Sequence, residues 1–212
     1  MLDQKKEQSR KRSWQAFVFF VASLKYYSLS CIVSTSTIYR IIQRDTDETP
    51  HYVRHTESDI NRNTWVFLLG LLVFGQLFDN MKRKMRRAII TIELCFGVMN
   101  LCLASLVYFF RRSSDATPEQ INVHIGLTNI LIESIQFLGA GIYLSSLLQM
   151  FNWFPSRVIH QIMALWVMAM SFGYLTWIMT DEKSDWVKNL VVGPVFILFA
   201  VLDYFFFRMY PT

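Results

Sequence analysis

Apolar and polar positions along this chain fall into blocks, not stripes. Near-continuous apolar runs cover residues 65–78, 88–110, 121–151, 158–179 and 187–207, and a sixth, interrupted by Lys25, covers 14–42. A helix on the surface of a soluble protein shows apolar residues every three or four positions with a polar outer face, and these runs lack that face. A bilayer-spanning helix needs about 20 mostly apolar residues, which the runs mostly supply. The run at 65–78 is short and must borrow the polar residues 60–64. The pattern therefore predicts an all-α integral membrane protein with six transmembrane helices, at approximately 14–42, 60–79, 87–110, 121–151, 158–180 and 186–208. A basic tail over 1–13 precedes this 14–212 domain, and no extended stretch remains for a soluble one.

Composition agrees with that reading. The chain is 53% hydrophobic and only 17% charged, and its charges are bunched between the apolar blocks. Lys5, Lys6, Arg10, Lys11 and Arg12 precede the first predicted helix, and Lys82, Arg83, Lys84, Arg86 and Arg87 fill the second connection. With six helices these clusters share a side, joined by Arg157 and Arg208. The opposite loops hold eight cations but ten of the sixteen acids, among them Asp45, Asp47, Glu48, Asp181 and Glu182. The positive-inside tendency then puts both termini in the cytosol or, in an organelle, the matrix. The net charge of +5 reflects topology and contact with anionic lipid at the basic inner face, not nucleic-acid binding.

Cys31, Cys95 and Cys102 lie inside apolar runs and are expected as small core residues, not as a disulfide or metal site. The first apolar run is too long for a cleaved signal segment, and Asp3 and Glu7 are foreign to a transit peptide, so an uncleaved N-terminus is expected. His124 and His160 are isolated, which points away from a metal. No Ser-His-Asp set, phosphate-binding glycine loop or Cys cluster marks an enzyme. No cofactor beyond structural lipid is expected.

The second connection reads Gly75-x-Leu77-Phe78-Asp79-x-x-x-Arg83-Lys84. It resembles the Gly-x-Leu-x-Asp-Arg-x-Gly-Arg-Arg/Lys signature of the major facilitator superfamily, which lies between the second and third helices. There, an acid at a helix end pairs with cations and latches one conformation of the transporter. Asn80 and Lys82 stand where the family has Arg and Gly. A second stretch, Asn152-Trp153-Phe154-Pro155 with Trp166 and Gly173 beyond, resembles Asn-Trp-Phe-x4-Arg-Gly-x3-Gly-x-Trp-x6-Gly of the organophosphate/sugar-phosphate exchanger branch. Ile159-His160 replaces the Arg-Gly pair, and Ala164 replaces the next Gly. Trp186 with Gly193-Pro194 resembles the start of the family's sixth helix. The resemblance covers nearly the whole chain and corresponds to the N-terminal half of a twelve-helix transporter.

The resemblance is weaker at the residues that bind substrate. The branch's first helix carries Tyr-x-x-Tyr-His-x-x-Arg-Lys, whose cation reaches the substrate phosphate. Here the stretch runs from Leu24 to Ile32, with Tyr27 matching and Cys31 and Ile32 at the Arg and Lys positions. A thiol and an alkane cannot neutralise a phosphate dianion. Lys25 lies six residues earlier, about 9 Å along the axis and on a different face. On the fourth helix the family's Gly-x-x-Gln-x-x-Gly-Trp-Pro is met by Gln136, Gly139, Ile142, Tyr143 and Leu144.

Ionisable residues within spans are costly and carry a functional presumption. Lys25, Glu93 and Glu133 qualify, and a network among them would either brace the bundle or serve proton coupling or substrate binding. Alternating access needs two halves rocking about a midplane site, so a half must be completed by a second copy or by another protein. Two expectations result. One is a transport-inactive accessory subunit, partnered by other membrane subunits. The other is a half-size organic-phosphate transporter acting as a dimer. By analogy with energy-transducing complexes that accumulate carrier-derived helices, the first would sit in a respiratory-chain complex of the mitochondrial inner membrane.

Overall fold

A computed structural model describes residues 2–30, 51–80, 84–112, 117–179 and 185–206, all of it helix apart from short turns. Six helices follow in order: α1 Leu2–Ser30, α2 His51–Asn80, α3 Met85–Arg112, α4 Pro118–Trp153, α5 Ser156–Met179 and α6 Asp185–Phe206. Three of them contain stretches long and apolar enough to cross a membrane: Met85–Phe109 in α3, Val123–Trp153 in α4 and Val187–Phe206 in α6. Among the described residues α1, α2 and α5 do not reach that standard; charged and polar turns make up the first part of α1 and α2.

Two boundaries differ from the sequence reading. Helix α1 runs back through the basic segment to Leu2, because residues 4–12 are Gln, Lys, Glu, Arg and Ser with no Gly or Pro to break it. Helix α2 begins at His51, nine residues before the predicted start, and its polar first turns are helical too. The predicted continuation of the first helix over 31–42 lies outside the described residues.

Four helices form a closed ring in the order α1, α4, α3 and α6, with α6 returning to α1; α2 packs on α4 and α5 packs on α1. The apolar core fills this ring and its junctions with α2 and α5, with Ala22, Phe96, Ile132, Ile135, Trp166 and Phe196 almost fully buried. Between membrane helices there is little hydrophobic drive, so close contact through small residues matters more. The α3–α6 crossing shows it: a Cβ on Gly97 would lie 2.7 Å from the Gly193 carbonyl oxygen, and one on Gly193 would lie 2.9 Å from the Gly97 oxygen. Neither position accepts a side chain without parting the helices.

Local signals fix the ends of α4. Thr117 caps it in a reciprocal box: the Gln120 N–H donates to Thr117 Oγ1 and the Thr117 N–H to Gln120 Oε1, with Pro118 in the first turn. At the other end Phe154 is extended, as the residue before Pro155 should be, and α5 starts at Ser156. This turn docks on α1. Trp153 stacks on Trp14 at 6.4 Å, Phe154 meets Phe19 edge-on, and Gln15 Nε2 donates to the Trp153 carbonyl at 2.9 Å.

Cys95 and Cys102 correct an expectation: both are exposed on the outer face of α3. The buried stripe of that helix runs through Ile89, Glu93, Phe96, Asn100, Leu103 and Val107, and the two cysteines fall beside it. Cys31 lies outside the described residues.

Candidate functional site

Helices α1, α3 and α6 each bury a stripe that contains a charge. On α1 it runs Val18, Val21, Ala22, Lys25, Leu29; on α3, Ile89, Glu93, Phe96; on α6, Val192, Phe196, Phe199, Asp203. Helical spacing thus carries Lys25, Glu93 and Asp203 into the same interior. Lys25 Nζ lies 2.5 Å from Glu93 Oε1 and 2.7 Å from Asp203 Oδ2, to which it also donates a hydrogen bond. The side chains are 2%, 0% and 7% exposed, respectively, so solvent screens none of these contacts. The ammonium also lies 5.7 Å from the centroid of the Phe199 ring. An ammonium has three N–H donors, and here two carboxylates and an aromatic face surround it. The Glu93 contact is ionic: neither of its oxygens has a well-aligned hydrogen-bond donor among the described residues.

Glu93 lies about 12 Å of rise into α3, and Asp203 about 5 Å before the end of α6. The cluster therefore sits toward the side where α3 begins and α6 ends. It contains two carboxylates and one cation, a buried arrangement that holds only while all three helices stay together.

Glu133 does not join it. Glu133 faces α2, one-third exposed, and pairs at 2.7 Å with Arg62, itself about half exposed. The sequence reading missed Asp203, although it stands inside the apolar run 187–207 and meets the same criterion that singled out Lys25. Arg62, one of the eight cations counted on the outer side, lies within α2, eleven residues after its start.

The second group of motif residues is spread along the seam that α4 and α5 make with α1. Trp166 is fully buried, stacks on Tyr26 at 4.0 Å and on Tyr143 at 5.6 Å, and its indole N–H donates to the Ala22 carbonyl at 3.2 Å. Gly173 lets α5 approach α1 closely: a Cβ there would lie 2.5 Å from the Tyr27 carbonyl oxygen. Trp153 is buried, while Asn152 and Phe154 are half-buried at the docked turn. These residues join α1, α4 and α5.

The first motif is less assembled. Gly75 and Leu77 are half-buried on α2, and Asp79 and Lys84 are exposed. Asp79 has no ion pair among the described residues, and Arg83 lies outside them. Among the described residues no group of three His, Cys, Asp or Glu side chains is arranged to hold a metal ion.

No family model, curated protein or solved structure matches the chain. Its chemistry is therefore read from its own residues. A buried ammonium between two carboxylates braces three helices. Its charge is already opposed by two carboxylates.

Proposed function

We propose that this chain is a transport-inactive, transporter-derived membrane subunit: a six-span half of a major-facilitator fold that serves as a structural part of a larger membrane assembly. Its termini lie on the cytosolic or matrix side, following the cation bias of its loops. The observation that carries this reading is the occupation of Lys25. The resemblance assigns phosphate binding to a first-helix cation, and Cys31 and Ile32 stand at those positions. Lys25 was the remaining candidate, and its ammonium is held between Glu93 and Asp203. An organic phosphate would have to displace two carboxylates and leave them buried and uncompensated, at a cost of about 3–5 kcal/mol.

The outer surface supports the same reading. Helices α2 and α5 flank the ring and expose Trp65, Leu69, Leu72, Phe172 and Leu175, which lipid or neighbouring membrane helices must cover. The test is gentle extraction from native membrane, followed by identification of whatever comigrates. The chain should travel with other membrane subunits in a stable assembly. Recovery as a lone homodimer that exchanges phosphate in liposomes would overturn the proposal in favour of a half-size transporter.

A further inference from the structure

Beside the bundle, where α1 passes the end of α6, lies a cleft of about 380 Å³ lined by Arg10, Ser13, Trp14, Phe17 and Phe206. Four of these residues stand at i, i+3, i+4 and i+7 of α1 and so share one face. The cleft is polar at one end and aromatic at the other. Arg10 is exposed and has no acidic partner among the described residues. Ser13 Oγ donates to the Ser9 carbonyl at 3.1 Å, which leaves its lone pairs toward solvent. The aromatic walls are fixed in advance: Trp14 is stacked on Trp153 and met edge-on by Phe17 at 5.7 Å, and Phe17 packs on Phe206 at 6.3 Å. Arg10 and Phe17 are separated by about 10 Å of helical rise, the span from a headgroup phosphate to the upper acyl chain. Tryptophan at that level is typical of a membrane interface.

We propose that this cleft binds one anionic phospholipid, with its phosphate on Arg10 and an acyl chain along Trp14, Phe17 and Phe206. Charge complementarity selects the occupant, because an arginine above an aromatic slot fits a lipid phosphate and not a neutral apolar helix. The inference rests on the membrane placement of the chain and is independent of the loss of transport.

Native mass spectrometry of the full chain in mild detergent, titrated with phosphatidylglycerol or phosphatidylcholine, tests it. One phosphatidylglycerol should be retained at least about tenfold more tightly than phosphatidylcholine. Arg10→Gln should weaken phosphatidylglycerol about fivefold, the value of one surface cation against anionic lipid, and weaken phosphatidylcholine less, because choline already opposes its phosphate charge. Phe17→Ala should weaken both lipids alike. Lys11→Gln, which removes the same charge off that face, should leave the preference intact. Equal binding of the two lipids by the unaltered chain, an equal effect of Lys11→Gln and Arg10→Gln, or displacement of the lipid by inorganic phosphate would overturn the proposal.

Discussion

Two ion pairs in this molecule use the same chemistry in opposite settings. Lys25 is sealed between Glu93 and Asp203 at the junction of α1, α3 and α6, whereas Arg62 and Glu133 join α2 to α4 at the periphery, half and one-third exposed. The distances are similar, and the environments decide the energetics. At the surface, solvent and headgroups screen the attraction, and two flexible chains lose entropy to hold it. In the interior, removing one partner leaves a bare charge in a medium that cannot solvate it. The inner cluster should therefore dominate the integrity of the bundle, and the outer pair should contribute little.

The sharpest way to break that contrast is Lys25→Ala. It strands two buried carboxylates and should lower stability by about 3–5 kcal/mol, read as an early thermal transition in detergent and as loss of the assembled form. Next in size is Gly193→Val, which pushes α6 off α3 and so separates Glu93 from Asp203 without touching a charge. A cost of about 1–3 kcal/mol is expected, with the Arg62–Glu133 pair unaffected in a double-mutant comparison. Asp203→Asn keeps an acceptor beside Lys25 and balances the remaining pair at one charge each. It should cost about 1 kcal/mol, well below Lys25→Ala. Smallest is Glu133→Gln, at about 0.2–1 kcal/mol and diminishing with salt. A Glu133→Gln effect as large as that of Lys25→Ala would dissolve the distinction.

The apolar blocks made the helical class and most helix positions legible, because block length and polarity are local properties. Boundaries were less so. Nothing in a basic run says whether it frays or continues a helix, and the Lys/Glu/Gln-rich stretch of α1 continues to Leu2. Lys25 and Glu93 were visible as misplaced charges, but their pairing depends on which faces α1, α3 and α6 turn inward, and that is a tertiary fact. Glu133 looked equivalent to Glu93 in sequence and lies on the wrong face of α4 to join it. Asp203 was legible and was overlooked near the end of its run. Cys95 and Cys102 failed for a related reason: an apolar membrane helix carries apolar residues on both its inner and its outer face, so apolar context does not report burial.

The motif residues teach a similar lesson. Asn152, Trp153, Phe154, Trp166 and Gly173 are spread along the seam where α4 and α5 dock on α1, and the contacts of Trp153, Phe154, Trp166 and Gly173 there are ring stacking and close backbone approach. Gly75, Leu77, Asp79 and Lys84 lie along and just beyond α2 with no comparable convergence among the described residues.

The central claim is that Lys25 holds helices together and does not bind an anion. Its most direct test is phosphate exchange in liposomes containing the purified chain, compared with a Lys25→Met/Glu93→Gln/Asp203→Asn variant that removes all three charges together. The account predicts that both preparations give flux equal to protein-free liposomes, and that the triple variant stays folded because no charge is stranded. Saturable phosphate exchange by the unaltered chain, abolished in the folded triple variant, would contradict it.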